Sequence, residues 1–138
     1  MLALFNIRNV DHLLVSGSDS GEISVWDLRS FYSSKDSSPN AAATFTWHTK
    51  PITSVGWHPT DPSVFAATGA DDQLTIWDLA LESEGPESDI QSVPPQLLFV
   101  HQGQKDMKEF RWNRTKGLEG LIISTSYDGF NIFKTINA

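Results

Sequence analysis

Short apolar runs alternate with clusters of glycine, serine and aspartate along most of the chain. Ile23-Ser-Val-Trp26 and Leu74-Thr-Ile-Trp77 are rich in β-branched and aromatic residues, the composition of a strand. Turn-forming clusters precede them, Ser18-Asp-Ser-Gly21 and Asp71-Asp-Gln73, and Asp128-Gly129 precedes a third run ending at Phe133. Such clusters suit tight hairpins because Gly, Asp and Asn tolerate positive φ. Further strands are predicted upstream at 42–47 and 52–57, and again at 96–100 and 107–112. That makes about four short antiparallel strands per unit. Leu74 and Ile76 point to one face of their strand, Trp77 and Leu79 to the other, so the strand needs apolar cover on both sides. No stretch carries a strong helical pattern. The segments 29–41 and 80–95 read as variable connections, the first Ser-rich and turn-like.

The units are copies of one another. Ser16-Gly-Ser-Asp-Ser-Gly-Glu-Ile-Ser-Val-Trp-Asp-Leu28 is echoed by Thr68-Gly-Ala-Asp-Asp-Gln-Leu-Thr-Ile-Trp-Asp-Leu79 and, more weakly, by Ser124 to Phe133. Ile52-x-x-Val55-x-Trp57 likewise pairs with Met107-x-x-Phe110-x-Trp112. Signature aromatics recur at a spacing of roughly fifty residues, the mark of a repeat architecture. The units divide at about 1–47, 48–100 and 101–138.

Composition narrows the function. The 138 residues are 39% hydrophobic and 20% charged, with net charge −7 and no cysteine. Thiolate nucleophiles, disulfides and zinc–thiolate sites are therefore excluded. The acidic balance argues against a general phosphate-binding surface, so direct nucleic-acid binding is not expected. No apolar run approaches the roughly 18 residues of a membrane helix. The start, Met1-Leu-Ala-Leu-Phe5, lacks the basic flank and length of a signal peptide.

The doubled Trp26-Asp27 and Trp77-Asp78, with their upstream Gly and Asp, resemble the WD-repeat β-propeller family. The stretches 77–82, 94–103 and 128–136 are similar to the glutamate-rich WD-repeat proteins of ribosome assembly, which are related to the retinoblastoma-binding histone chaperones. The resemblance implies an all-β fold of about three four-stranded antiparallel blades. A propeller takes about four to eight blades, so one such chain leaves the ring open. The remaining blades of a longer propeller, or a second copy, are then expected partners. Met1 to Ile7 is one candidate for a missing outer strand on another copy's third unit. The third unit departs from the pattern, with Phe133 and Lys134 where Trp and Asp belong.

The resemblance also assigns candidate residues. His48, Thr68, Asp71 or Asp72, and Trp77 match the hydrogen-bond chain that ties WD-repeat strands together; Ser16 and Trp26 are its remnants in the first unit. A Thr–His–Asp triad is the competing reading, but a recurring polar set is fold, and function must be argued from a separate site. His58, in a Trp-His-Pro turn, reads as surface. The separate site is the segment 80–95. It carries Glu82, Glu84, Glu87 and Asp89 with no Lys or Arg, and ends in Pro94-Pro95, a stiff, extended approach to Leu97. In the histone chaperones the corresponding acidic loop forms one wall of a groove for a basic helix. The expected function is therefore a non-enzymatic scaffold, without cofactor or metal, that binds a basic ribosomal protein or histone in the nucleus or nucleolus. The alternative is an adaptor or substrate receptor of a ubiquitin ligase or other multiprotein complex. Lys105, Lys108, Arg111, Arg114 and Lys116 form a basic counterpart, read as outward-facing strand and loop charges.

Overall fold

The computed structural model describes residues 3–7, 12–33, 40–81 and 93–135. The first sheet has the order β1 (Ala3–Ile7), β2 (Leu13–Ser18), β3 (Ile23–Asp27), β4 (Ala43–Phe45). The second runs β5 (Ile52–Trp57), β6 (Val64–Gly69), β7 (Gln73–Asp78), β8 (Leu97–His101). The third has three strands, β9 (Met107–Trp112), β10 (Leu121–Ser126) and β11 (Gly129–Lys134). Every pairing is antiparallel, and each sheet is a simple meander.

Two apolar layers bind the sheets into an open stack. Val15, Ile23, Val25 and Phe45 of the first sheet pack on Ile52, Phe65, Ala67 and Trp77 of the second. Val64, Ala66, Leu74 and Ile76, on the second sheet's other face, pack on Met107, Phe110, Trp112 and Ile122 of the third. The strand β7 is buried on both faces, as its sequence requires. Trp77 anchors the first layer, its ring 4.6 Å from Phe45 and stacked at 6.3 Å on Phe65. Burying such side chains stabilises the fold by about 1.5–3 kcal/mol each.

Register makes the sheets comparable position by position. Trp26 lies opposite Leu14, Trp77 opposite Phe65, and Phe133 opposite Ile122. These three aromatics occupy the same place in successive sheets.

Two expectations need correction. The segment Ala3–Ile7 is strand β1, paired with β2 inside its own first sheet, so it is already spent as a strand and does not complete another copy's third sheet. A short helix, α1 (Leu28–Ser33), follows β3 where the pattern predicted none. Asp27 nucleates it: its carboxylate accepts from Arg29 N at 3.0 Å, and its carbonyl accepts from Ser30 Oγ at 2.7 Å. The Arg29 guanidinium, bonded to the same carboxylate, lowers the Asp27 pKa to about 2.

Candidate functional site

The polar set of the second sheet is built on three elements. His48 precedes β5, Asp71 sits in the β6–β7 turn, and Thr75 and Trp77 lie on β7. The Asp71 carboxylate accepts from His48 Nδ1 at 2.8 Å and from the Thr49 backbone N–H at 3.0 Å. The other ring nitrogen, Nε2, meets Thr75 Oγ1 at 2.8 Å. The Thr75 oxygen in turn accepts from Trp77 Nε1 at 2.8 Å. Every member thus has its partners, as buried polar groups must. The His48 side chain is fully buried and Asp71 nearly so. Gly69 makes room for the pair, because a Cβ there would collide with both the Asp71 carboxylate and the His48 ring.

The hydroxyl in this chain is therefore Thr75, and Thr68 lies on the opposite face. Thr68 pairs across the hairpin with Leu74, while Thr75 pairs with Ala67. The two motifs diverge because the glycine has moved: both turns hold three residues, between Ser18 and Glu22 and between Gly69 and Gln73, so Gly69 takes the place of Ser18 and not of Gly17. Counting back from the tryptophans aligns Ser16 with Ala67; counting from Gly17 and Gly69 aligns it with Thr68. A one-residue slip flips a side chain to the other face of a sheet. In the first sheet Ser16 Oγ accepts from Trp26 Nε1 at 2.9 Å. In the second, Ala67 stands in that place and the hydroxyl has moved straight across the hairpin to Thr75.

Thr68 serves the junction with the third sheet. Its hydroxyl meets Thr53 Oγ1 at 2.9 Å, and Thr53 donates to the Met107 carbonyl at 2.8 Å. Asp72 works at the same junction, accepting from the Asp106 backbone N–H at 2.6 Å. Trp112 Nε1 adds a bond to the Gly56 carbonyl at 3.1 Å.

In the third sheet Gln104 takes the histidine's part, a substitution sequence reasoning missed. It accepts from Ser124 Oγ and donates to Ser126 Oγ at 3.2 Å, and Ser126 donates to Asp128 at 2.6 Å. Asp128 also accepts from the Lys105 backbone N–H, as Asp71 does from Thr49. His101 lies beside this set, stacked on Phe133 with ring centroids 4.0 Å apart.

His58 is more than a surface residue. Its ring packs on Trp112 at 4.7 Å, and Nδ1 accepts from the backbone N–H groups of Thr60 and Asp61, at 3.1 and 2.9 Å. Burial pushes its pKa below the ordinary histidine value, against the opposing pull of Asp61 and Glu119.

The acidic segment belongs to the outer edge of the second sheet. Glu82, Glu84, Glu87 and Asp89 lie outside the described residues, but both ends of their segment are placed. Asp78 N donates to the Gln96 carbonyl at 2.9 Å, and Trp77 pairs with Leu97. Leu97 N donates to the Pro94 carbonyl at 3.1 Å. The approach to β8 is thus a turn rather than the extended run expected, with Pro95 at the position its fixed φ suits. Leu81 and Val93, at the two ends, are both exposed. Among the described residues no group of three His, Asp or Glu side chains is placed to hold a metal ion, and no helix is long and apolar enough to cross a membrane.

These features define a class. Stacked antiparallel meanders, with a hydroxyl–tryptophan bond in the first two and a Gln–Ser–Asp set in the third, are blades of a WD-repeat propeller left as an open stack. Residues 40–78 match the family described as "WD domain, G-beta repeat", and the chain is a WD-repeat scaffold.

More particularly, the chain is similar to Ribosome assembly protein rrb1 of Schizosaccharomyces pombe, 47% identical over 109 residues, covering 75% of this chain and 22% of that protein. It is 53% identical over 53 residues to Glutamate-rich WD repeat-containing protein 1 of Dictyostelium discoideum, covering 38% of this chain and 10% of that protein. It is 35% identical over 76 residues to Histone acetyltransferase type B subunit 2 of Mycosarcoma maydis, covering 55% of this chain and 17% of that protein. The chain therefore spans about a fifth or less of the length of these relatives.

Proposed function

We propose that this scaffold holds a basic client protein, a ribosomal protein or a histone, against the acidic segment between β7 and β8, and performs no chemistry of its own. The observation that carries the reading is the closed base of that segment. The bond from Asp78 N to the Gln96 carbonyl fixes its two ends on one hairpin edge. Four carboxylates without a cation in one segment attract lysine and arginine and speed encounter with basic partners in a salt-dependent way. Exposed Leu81 and Val93 add apolar contact at the base. The names of the relatives, ribosome assembly on one side and a histone acetyltransferase subunit on the other, support basic clients and a nuclear or nucleolar setting. Against the Thr–His–Asp triad, both ring nitrogens of His48 are engaged and the ring is closed to solvent.

The test reverses Glu82, Glu84, Glu87 and Asp89 to lysine together and measures binding of purified histones and ribosomal proteins over a salt series. The expected result is loss of binding, with the wild-type interaction weakening as salt rises. Binding that survives the reversal unchanged overturns the assignment and moves the client to another surface.

A further inference from the structure

One ring, that of His58, holds a turn and a neighbouring sheet at once. His58 follows β5, and its backbone N–H donates to the Val64 carbonyl at 2.8 Å, so residues 58–63 close the β5–β6 hairpin. Within that turn Nδ1 accepts from the Thr60 N–H at 3.1 Å and the Asp61 N–H at 2.9 Å, and the Thr60 hydroxyl stands 3.4 Å from the same nitrogen. The half-buried ring packs on Trp112 of the third sheet, with centroids 4.7 Å apart. The turn also reaches the base of the acidic segment, because the Ser63 carbonyl accepts from Leu79 N at 3.0 Å. The Asp61 carboxylate braces it, accepting from Ser63 N at 3.0 Å.

This arrangement works in one protonation state. Two backbone donors converge on Nδ1, so that nitrogen carries its lone pair and the neutral ring keeps its proton on Nε2. A proton on Nδ1 would face both donors, leave them without an acceptor and drive the ring away from them. The same rotation takes the ring off Trp112. Charged neighbours give the turned ring a second position. Asp61 of its own turn and Glu119 of the β9–β10 connection both attract an imidazolium. Two cations complete the surroundings: Lys134 of β11, which acts on the same Glu119, and Arg114, which lines a small cleft with Trp112. Burial outweighs the pull of both carboxylates, so the closed arrangement holds at neutral pH.

We propose that the 58–63 turn is a proton-operated latch: with His58 neutral it clasps the third sheet and the base of the acidic segment, and with His58 protonated it releases both. The latch is closed above the free histidine value of about 6.5 and opens as pH falls through the lower folded value. It is a two-position element of the kind that histidine switches use. What the acidic segment binds does not enter the argument.

Hydrogen exchange of the full chain from about pH 7.5 to about pH 5, expressed as protection factors, tests it. The Thr60, Asp61 and Leu79 amides should lose protection together, by up to about tenfold per pH unit below about 6.5, while the Thr75 and Ile76 amides of β7 keep theirs. His58→Asn retains an acceptor for the turn amides and has nothing to titrate, so its protection should stay level across the range. His58→Phe keeps a ring for Trp112 without the acceptor, so its turn amides should be open at every pH. Wild-type turn amides that stay level, a His58→Asn variant that follows the wild type, or a His58→Phe variant as protected as the wild type overturns the proposal. So does loss at Thr75 and Ile76 in step with the turn, which signals unfolding of the whole sheet. A Leu79 amide that stays protected while the turn opens overturns the link to the acidic segment.

Discussion

The sharpest test of the polar set is Thr75→Val, set beside Thr68→Val. Both residues are fully buried threonines on the β6–β7 hairpin, and valine matches their shape, so packing is nearly conserved. Their hydroxyls differ in what depends on them. Thr75 Oγ1 satisfies two buried groups at once, His48 Nε2 and Trp77 Nε1. Its removal strands both of these polar ring nitrogens where water cannot reach. Each stranded group costs about 1–3 kcal/mol, so Thr75→Val should destabilise by about 2–6 kcal/mol. Thr68 satisfies only Thr53 Oγ1, which keeps its own bond to the Met107 carbonyl. Its loss strands no donor, and Thr68→Val should cost about 1 kcal/mol or less. Urea unfolding followed by tryptophan fluorescence at fixed protein concentration separates the two. At a slope of about 2 kcal/mol per molar, the midpoint should fall by roughly 1–3 M for Thr75→Val and by no more than about 0.5 M for Thr68→Val. Equal shifts, or a larger one for Thr68→Val, would refute the assignment of Thr75 as the bridging hydroxyl.

Other consequences follow from the same geometry. His48→Gln should retain more stability than His48→Ala, because Gln104 fills the corresponding place in the third sheet; urea midpoints of the two variants decide it. Gly21→Ala should be strongly destabilising, since Gly21 has φ 88° and an added Cβ would strike the His48 carbonyl; a thermal unfolding curve like the wild type's would count against that packing. The folded His58 pKa is depressed, so its neutral form is the one the fold favours. The stability this contributes is complete above the unfolded value of about 6.5 and is lost as pH falls through the lower folded value. An NMR titration placing His58 above the free histidine value would contradict the buried, accepting ring. Asp72→Ala should loosen the latch to Asp106 at a cost of about 1 kcal/mol, read as faster hydrogen exchange at the Asp106 amide.

The strand pattern was legible because local and global signals agree. Alternation, turn clusters and the repeat all named the hairpins, and the two-sided apolar pattern of Leu74 to Leu79 foretold stacking on both faces. Helix α1 was not legible. It is a single short turn region started by the Asp27 carboxylate, with no apolar period to announce it. The strand Ala3–Ile7 was misread because it matches the repeats poorly in sequence, while its place is set by backbone pairing with β2, which side-chain identity hardly encodes.

The site shows why a motif read by position can be right about the chemistry and wrong about the atom. The second and third sheets each combine a carboxylate in the turn, a polar side chain before the inner strand and a hydroxyl between strands, while the first keeps only its hydroxyl and tryptophan. These groups do not come from the same places in each copy. Ser16, Thr75 and Ser124 supply the hydroxyl in the three sheets, from β2, β7 and β10 respectively. Gln104 replaces the imidazole once the third sheet has Phe133, with no indole N–H, in place of tryptophan. Substitution among partners is tolerated because each hydrogen bond is local and the strands on either side are already held by their apolar layers. Gly56 obeys a stricter rule. An added Cβ there would come within 3.3 Å of Phe110, so the incoming aromatic packs closest where no side chain stands. Polar exchange within a sheet preserves the fold, whereas bulk added at Gly56 would crowd the apolar layer between the second and third sheets.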